Sequence, residues 1–210
     1  MTSYDDIHRQ VSAYYTRKLR EHGATARGVD WNSEASQALR FDQLLKIAQG
    51  NRAFSLNEIG CGYGALVDHI RARDLDVDYC GVDLSAEMVR AARDLHAQTK
   101  NAAFLTGNRP DRPRDYCVAS GIFNVRLDIL DDTWRDIMFA TLDLMHESSV
   151  AGFAFNALTS YADAEKKRAD LYYADPLEIF DHCKRNYSPN IALLHDYGLY
   201  EFTILVRKTL

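Results

Sequence analysis

The 210-residue sequence predicts an α/β fold: a doubly wound, seven-stranded, mostly parallel sheet with an antiparallel last strand, preceded by an N-terminal helical lid. Three observations carry that prediction. From Ala53 onward, short apolar runs alternate with helix-period segments, the pattern of parallel strands joined by crossover helices. A glycine-rich turn, Gly60–Gly64, separates the first strand from its helix, as a ligand-binding turn does. The last two strands are joined by only about five residues, and a parallel crossover needs roughly a dozen, so the final strand must reverse.

The elements follow in order. Ile7, Val11, Tyr14, Tyr15, Lys18 and Leu19 recur at steps near four and make one face of a helix, with Ser3 as its cap and Asp6 three residues on. Gly23 and Gly28 break it. A second helix starts after Asn32 or Ser33, carries Leu39, Leu44, Leu45, Ile47 and Ala48, and ends at Gly50. Ala53–Ile59 reads as a buried strand, Ala65–Arg73 as helix, Val77–Asp83 as strand. Ser85–Gln98 is helix, capped by Ser85 and buried along Met88, Val89, Ala92 and Leu95. Ala102–Thr106 and Tyr116–Ser120 are strands, separated by the Pro- and charge-rich loop around Asn108–Asp115. Asp132–Met145 is helix, Val150–Phe155 strand, and Pro176–Arg185 a helix with Pro in its first turn. Ile191–Leu194 and Tyr200–Arg207 are the closing strands, joined around Tyr197–Gly198. The chain therefore reads as one domain, with 1–50 as the lid and 53–210 as the core.

Composition narrows the function classes. Apolar residues make up 47%, enough for a full core, and charged residues 26%. The balance of 25 Lys+Arg against 30 Asp+Glu gives −5, and a protein gripping nucleic acid through phosphates usually carries a basic excess. Cys61, Cys80, Cys117 and Cys183 are far apart, with no metal-ligand spacing, so no metal site is expected. Neither a membrane-length apolar run nor a secretion signal is visible, which fits a cytoplasmic protein.

The chemistry concentrates in two short segments. Glu58-Ile59-Gly60-Cys61-Gly62-Tyr63-Gly64 follows a strand and opens a helix. On its glycines alone, with Ala65, it also satisfies the nicotinamide-cofactor fingerprint. Glu58 separates the readings: a carboxylate two residues before the first glycine can meet an amino group but would face a pyrophosphate badly. In Gly81-Val82-Asp83-Leu84-Ser85, Asp83 ends the second strand, where an acid can accept both hydroxyls of a ribose. A bare strand–helix turn and a plain helix cap are the alternative readings of the two segments.

Glu58–Gly64 resembles the E/D-x-G-x-G-x-G motif of class I S-adenosylmethionine-dependent methyltransferases, and Asp83 matches their ribose-binding acid. The motif match covers about Ala53–Val125; the remainder is similar in topology, with the helices before Ala53 resembling a variable lid. The resemblance implies S-adenosyl-L-methionine as cofactor, with Gly60, Cys61, Gly62 and Gly64 along its methionine part, Glu58 near its amino group, and Leu84 and Met88 flanking the adenine. Asn108 stands where the family often carries an acid that reads the adenine amine; an amide can donate and accept there. Ser120-Gly121-Ile122-Phe123-Asn124 lacks the Asn/Asp-Pro-Pro-Tyr/Phe of nucleobase and glutamine N-methylating members, and no Cys follows a Pro as in the cytosine C5 type. Direct transfer to an oxygen or nitrogen of a small-molecule metabolite is therefore the expected reaction.

Further candidates surround that core. Ser120 and Asn124 could face the sulfonium and the acceptor. Tyr14, Tyr15 and Trp31 could close over cofactor or substrate, or simply pack lid on core. Arg40 could clamp the cofactor carboxylate, since a guanidinium forks onto carboxylates. Asn156, Tyr161 and Tyr173 follow the fifth strand, where such folds build the acceptor pocket, with Ser160, Tyr172 and Asp175 beside them. His195, with Asp196 or Asp175 to orient it, is the candidate general base. Arg109, Arg112 and Arg114 read as a solvated loop. Open alternatives are a tRNA or rRNA methyltransferase, and 3-amino-3-carboxypropyl transfer or cyclisation with the same cofactor. A homodimer is compatible with the sequence, which leaves the oligomeric state open.

Overall fold

In the computed structural model, which describes residues 4–208, seven strands form one sheet in the order β3-β2-β1-β4-β5-β7-β6. The strands are β1 (Ala53–Ile59), β2 (Asp76–Asp83), β3 (Ala102–Thr106), β4 (Arg114–Ala119), β5 (Ser149–Leu158), β6 (Asn190–Leu194) and β7 (Glu201–Arg207). β7 runs antiparallel to both β5 and β6, and the other pairs are parallel, as the short last connection requires. The helices are α1 (Tyr4–His22), α2 (Glu34–Leu45), α3 (Ala65–Arg71), α4 (Ala86–Leu95), α5 (Asp131–Glu147) and α6 (Pro176–Asn186). The Ser3 cap lies outside the described residues.

Two apolar layers sandwich the sheet. One joins Phe41 and Leu44 of α2 and Leu66 and Val67 of α3 to Leu56, Val118 and Leu205; the other joins Met138 and Leu142 of α5 and Ile179 of α6 to Phe153, Phe155 and Ile204. Alternate residues of each strand serve the two layers, as the pleat dictates. Strand order reverses between β1 and β4, so a crevice opens beyond their C-terminal ends.

No helix forms between β3 and β4. Residues 107–113 join the two strands in irregular backbone, and α1 adds Ile7 to the layer on the α5–α6 face. Ile7 of α1 is 1% exposed and belongs to the α5–α6 layer, with Val11 packed against it. α1 is fastened along β2 and α4: Ser12 Oγ donates to the Leu84 carbonyl at 3.2 Å, Thr16 Oγ1 and Ser85 Oγ lie 2.7 Å apart, and Arg20 pairs with Glu87.

Several boundaries differ from the sequence reading. β4 begins at Arg114, whose buried guanidinium donates to Asn57 Oδ1 at 2.8 Å and Asp111 Oδ1 at 2.7 Å, so a basic residue takes a strand position. β5 continues to Leu158 because β7 pairs with it that far. α3 and α4 stop earlier, at Arg71 and Leu95. Ser33 and Ser85 each accept a backbone N–H in the first turn that follows, as expected, and Asp175, expected near the acceptor pocket, caps α6 in the same way.

Ser85 ties two elements, because its hydroxyl accepts from Met88 N at 3.2 Å and meets Thr16. Ser85→Ala should cost about 1 kcal/mol, the usual scale for a lost N-cap. Denaturant unfolding at unchanged slope should read this loss, with hydrogen exchange in α1 speeding up. Unchanged stability would mean that neither bond contributes.

Candidate functional site

β1 delivers Glu58 and then the glycine turn to the crevice. Gly60 N and Cys61 N both donate to the Val82 carbonyl, at 2.8 and 3.0 Å, which pins the turn to β2. Gly60 adopts φ +72, and a Cβ there would lie 2.2 Å from Ile122 Cγ2, so only glycine fits both the backbone and the packing. Gly62 N donates to Asp83 Oδ2 at 2.9 Å and Ser85 N to Asp83 Oδ1 at 2.8 Å. Each carboxylate oxygen of Asp83 thereby keeps acceptor capacity after its backbone bond, enough for a pair of neighbouring hydroxyls.

Glu58 is buried, and the Tyr79 hydroxyl donates to its Oε2. Burial pushes its carboxyl up to about 8, opposed by the Tyr79 hydrogen bond and reinforced by the Asp83 charge. Burial also raises the Asp83 carboxyl, against the two backbone N–H groups that stabilise its charge. An incoming cation would restore the Glu58 carboxylate.

These groups line a cavity of about 400 Å³, within the range of small-molecule sites. Its walls are apolar: Leu84 and Met88 on one side, Ile122, Phe123, Trp134 and Ile137 on the other, with α1 across the opening. At the far end Trp31 lies across Gly121. Gly121 has φ +72, and a Cβ there would stand 2.2 Å from the indole Cζ2.

The cavity brings together Glu58, Gly60, Cys61, Gly62, Asp83, Leu84, Met88, Asn108, Ser120 and Trp31 of the expected residues. Gly64 stands beside it, with φ +84, as the cap of α3. Seven expected residues lie elsewhere. The Arg40 clamp is corrected: its Nε and Nη2 each donate to a Glu201 carboxylate oxygen at 2.7 Å in a buried pair. Of the tyrosine pair, Tyr15 lines the cavity, while Tyr14 turns away and donates to Asp30 at 2.8 Å. Asn124 accepts from Leu158 N at 3.2 Å, and its own carbonyl accepts from Tyr172 N at 2.8 Å, so it fastens the loop after β4. Asn156 accepts from Gly121 N at 2.7 Å behind the cavity wall. The Tyr173 hydroxyl accepts from Arg168 N at 2.9 Å, and Tyr161 is exposed. His195 is exposed at the end of β6, three strands from β4, against Tyr161 and Phe202 at 6.0 and 6.3 Å between ring centroids. Asp175 is occupied in capping α6, accepting from Leu177 N at 2.8 Å.

The sequence reading missed His8, Gln37, Phe41, Tyr63 and Thr141 in the lining. Gln37 and Phe41 are one helical turn apart on α2, the one periodic signal that could have found them. His8 and Thr141 carry no motif; they arrive because α1 and α5 converge there.

Among the described residues, no group of three His, Cys, Asp or Glu is placed to hold a metal ion. No helix among them is long and apolar enough to cross a membrane. The four cysteines are buried and unpaired by disulfides, and burial raises every one of their thiols.

A family model described as a methyltransferase domain matches residues 57–143. A protein of Mycobacterium tuberculosis (strain ATCC 25618 / H37Rv), Rv1506c, named provisionally as a methyltransferase, is 57% identical over 164 residues, 78% of this chain and 99% of that protein. A solved complex of DhpI with SAH superposes with a TM-score of 0.66 at 16% identity, covering 98% of each chain. Magnesium protoporphyrin IX methyltransferase (ChlM) from Synechocystis PCC 6803, with bound SAH, does so at 0.67 and 11% identity, over 99% of this chain and 100% of that one. The plantazolicin methyltransferase BamL, in complex with a triazolic desmethylPZN analog and SAH, gives 0.62 at 10% identity, again over 99% and 100%. At these identities the three structures share the fold with this chain.

The raised Glu58 carboxyl sets a pH dependence. An ordinary glutamate titrates near 4.3 in the unfolded chain, so the folded protein holds this proton more tightly. The resulting stability is fully present below about pH 4 and is lost as pH rises through about 8. Denaturant unfolding of the ligand-free protein between pH 5 and 8 should show this decline, and Glu58→Gln should flatten it. An equal slope in the variant would place the titrating group elsewhere.

Proposed function

The chain belongs to the class I S-adenosylmethionine-dependent methyltransferases, and on that premise we propose that it methylates an oxygen or nitrogen of a small-molecule acceptor. The observation that supports the acceptor class is the size of the cavity, about 400 Å³, with the Trp31 indole packed on Gly121 in its wall. The one arginine-rich loop supports it too. Arg109 pairs with Glu147, Arg112 with Asp78, and Arg114 with Asp111, so little of that charge is left for a phosphate backbone.

The residues present fit the cofactor. The glycine turn puts the backbone of Gly60 and Gly62 in the cavity wall, Asp83 keeps two acceptor positions, and Ser120 Oγ is buried in the lining without a partner among the described residues. Asp83 would hold the ribose hydroxyls and Glu58 the amino group. Leu84 and Met88 would pack on the adenine, and Asn108 would meet its edge. Tyr15 and Trp31 would exclude water from above. Bound S-adenosylmethionine supplies a methyl group already activated by the sulfonium. The protein's part is then alignment, which can contribute up to about 7–11 kcal/mol in the best intramolecular models. The raised thiols keep the cysteines protonated at neutral pH, so none supplies a covalent nucleophile.

S-adenosylhomocysteine should raise the melting temperature, and NAD(H) should leave it unchanged, because only a ligand of the native state stabilises. Asp83→Ala should weaken the former by about 1.5–3 kcal/mol, the scale of hydrogen bonds to a charged group. With methyl-labelled donor and a cell extract, label should appear in the small-molecule fraction. Label in RNA alone would sink the acceptor assignment.

A further inference from the structure

Behind Trp31 stands a set of buried polar side chains that the cofactor end does not use. Asn156 of β5 pairs directly with Thr203 of β7, and Leu158 with Glu201. Residues two apart share a face, so Asn156, Thr203 and Glu201 point to the α2 side, with Glu201 diagonal to Asn156 and within reach of it. Arg40 arrives from α2, spends Nε and Nη2 on the two Glu201 oxygens, and stacks its guanidinium carbon 3.9 Å from the Trp31 ring centroid. Asn156 accepts from Gly121 N through its oxygen, which leaves its amide nitrogen on the other side.

Three donor atoms remain over. Arg40 Nη1, Asn156 Nδ2 and Ser120 Oγ are buried with no hydrogen-bond partner among the described residues. Arg40 is 7% exposed and Asn156 0%. All three belong to one locus: Ser120 precedes Gly121, Asn156 holds the Gly121 amide, and Arg40 backs the indole that covers it. Ser120 also lines the cofactor cavity, so this locus adjoins the place where a methyl group would be delivered. Buried donors left unpaired are costly, and a native structure that keeps several together needs a reason. An ammonium would find no relief here, because Nη1 and Nδ2 only donate and Arg40 already engages both Glu201 oxygens. An oxygen anion would satisfy all three.

We propose that this locus is the acceptor subsite and that it takes oxygen acids: a carboxylate, or an acidic hydroxyl already ionised by loss of its proton to solvent, admitted when Trp31 moves off Gly121. The assignment rests on the methyl-transfer reading above and narrows it. The acceptor oxygen forms its bond to the methyl carbon, the sulfur–methyl bond breaks with its electron pair remaining on sulfur, and the negative and positive charges cancel. No proton has to leave at that step.

Calorimetry on the protein saturated with S-adenosylhomocysteine tests this, with benzoate, 4-nitrophenolate and benzylammonium as probes. At least one anion should bind and benzylammonium should not, with a change in tryptophan fluorescence as Trp31 is displaced. Ser120→Ala breaks no existing bond, so it should fold; with the protein kept saturated with S-adenosylhomocysteine, it should weaken the anion about tenfold, the scale of one hydrogen bond to a charged group. Asn156→Asp keeps an acceptor for Gly121 N but replaces the free donor by a charge, and should abolish anion binding. With labelled donor, a base-labile methyl ester marks a carboxylate acceptor and a base-stable ether an ionised hydroxyl. Binding of benzylammonium in place of the anions, no anion binding to the loaded protein, or equal anion affinity in Ser120→Ala would each overturn the proposal. Failure of S-adenosylhomocysteine itself to bind would remove the methyl-transfer reading and this inference with it.

Discussion

The whole site depends on one backbone fastening. Gly60 N and Cys61 N converge on the Val82 carbonyl, and Gly62 N closes on Asp83, so the turn after β1 is held to the end of β2. That arrangement requires left-handed backbone at Gly60, Gly62 and Gly64, which glycine adopts without steric penalty. It sets Asp83 with both oxygens oriented and opens α3 toward the crevice. A side chain at Gly60 would drive into Ile122, so the same fastening also fixes how closely the loop after β4 approaches.

The second feature is the replacement of a crossover helix by α1. Because residues 107–113 pass between β3 and β4 without forming a helix, part of the sheet face would be bare, and Ile7 and Val11 cover it. One element thus completes the core and covers the cofactor cavity. The fastening of α1 is largely polar, through Ser12, Thr16 and Arg20 on one side and Tyr14 and Lys18 to Asp30 on the other. Contacts of this kind separate at lower free energy than an apolar seam, which suits a cover that must admit a ligand.

The buried Arg40–Glu201 pair shows how stability and function divide. Desolvating two charges costs several kcal/mol per ion, and such pairs are frequently no more stable than apolar replacements of similar volume. The return is geometric: a bidentate guanidinium is fixed in plane and presents its face to the Trp31 indole. The same cost is visible at Glu58, a carboxyl whose burial disfavours ionisation.

Read from the residues alone, the chain yielded the strand order of types, the reversed last strand, the glycine turn, Glu58, Asp83 and the Ser85 cap. Each of these is local: a turn needs glycine, a cap needs a short polar side chain, and periodicity reports which face is buried. Tyr15 aside, the lining contributed by α1 and α5 was not legible, because His8 and Thr141 reach one cavity only through packing between elements far apart in sequence. Arg40, Asn124, Asn156 and His195 were given site roles on their positions near strand ends or on helices beside them. Their partners are set by the fold: Arg40 meets Glu201 161 residues away, and Asn156 meets Gly121 35 residues away. A polar side chain declares its chemistry in the sequence, but which group satisfies it is a property of the tertiary structure. Burial makes an unmet hydrogen bond costly enough that the nearest available partner takes it, whatever its distance along the chain.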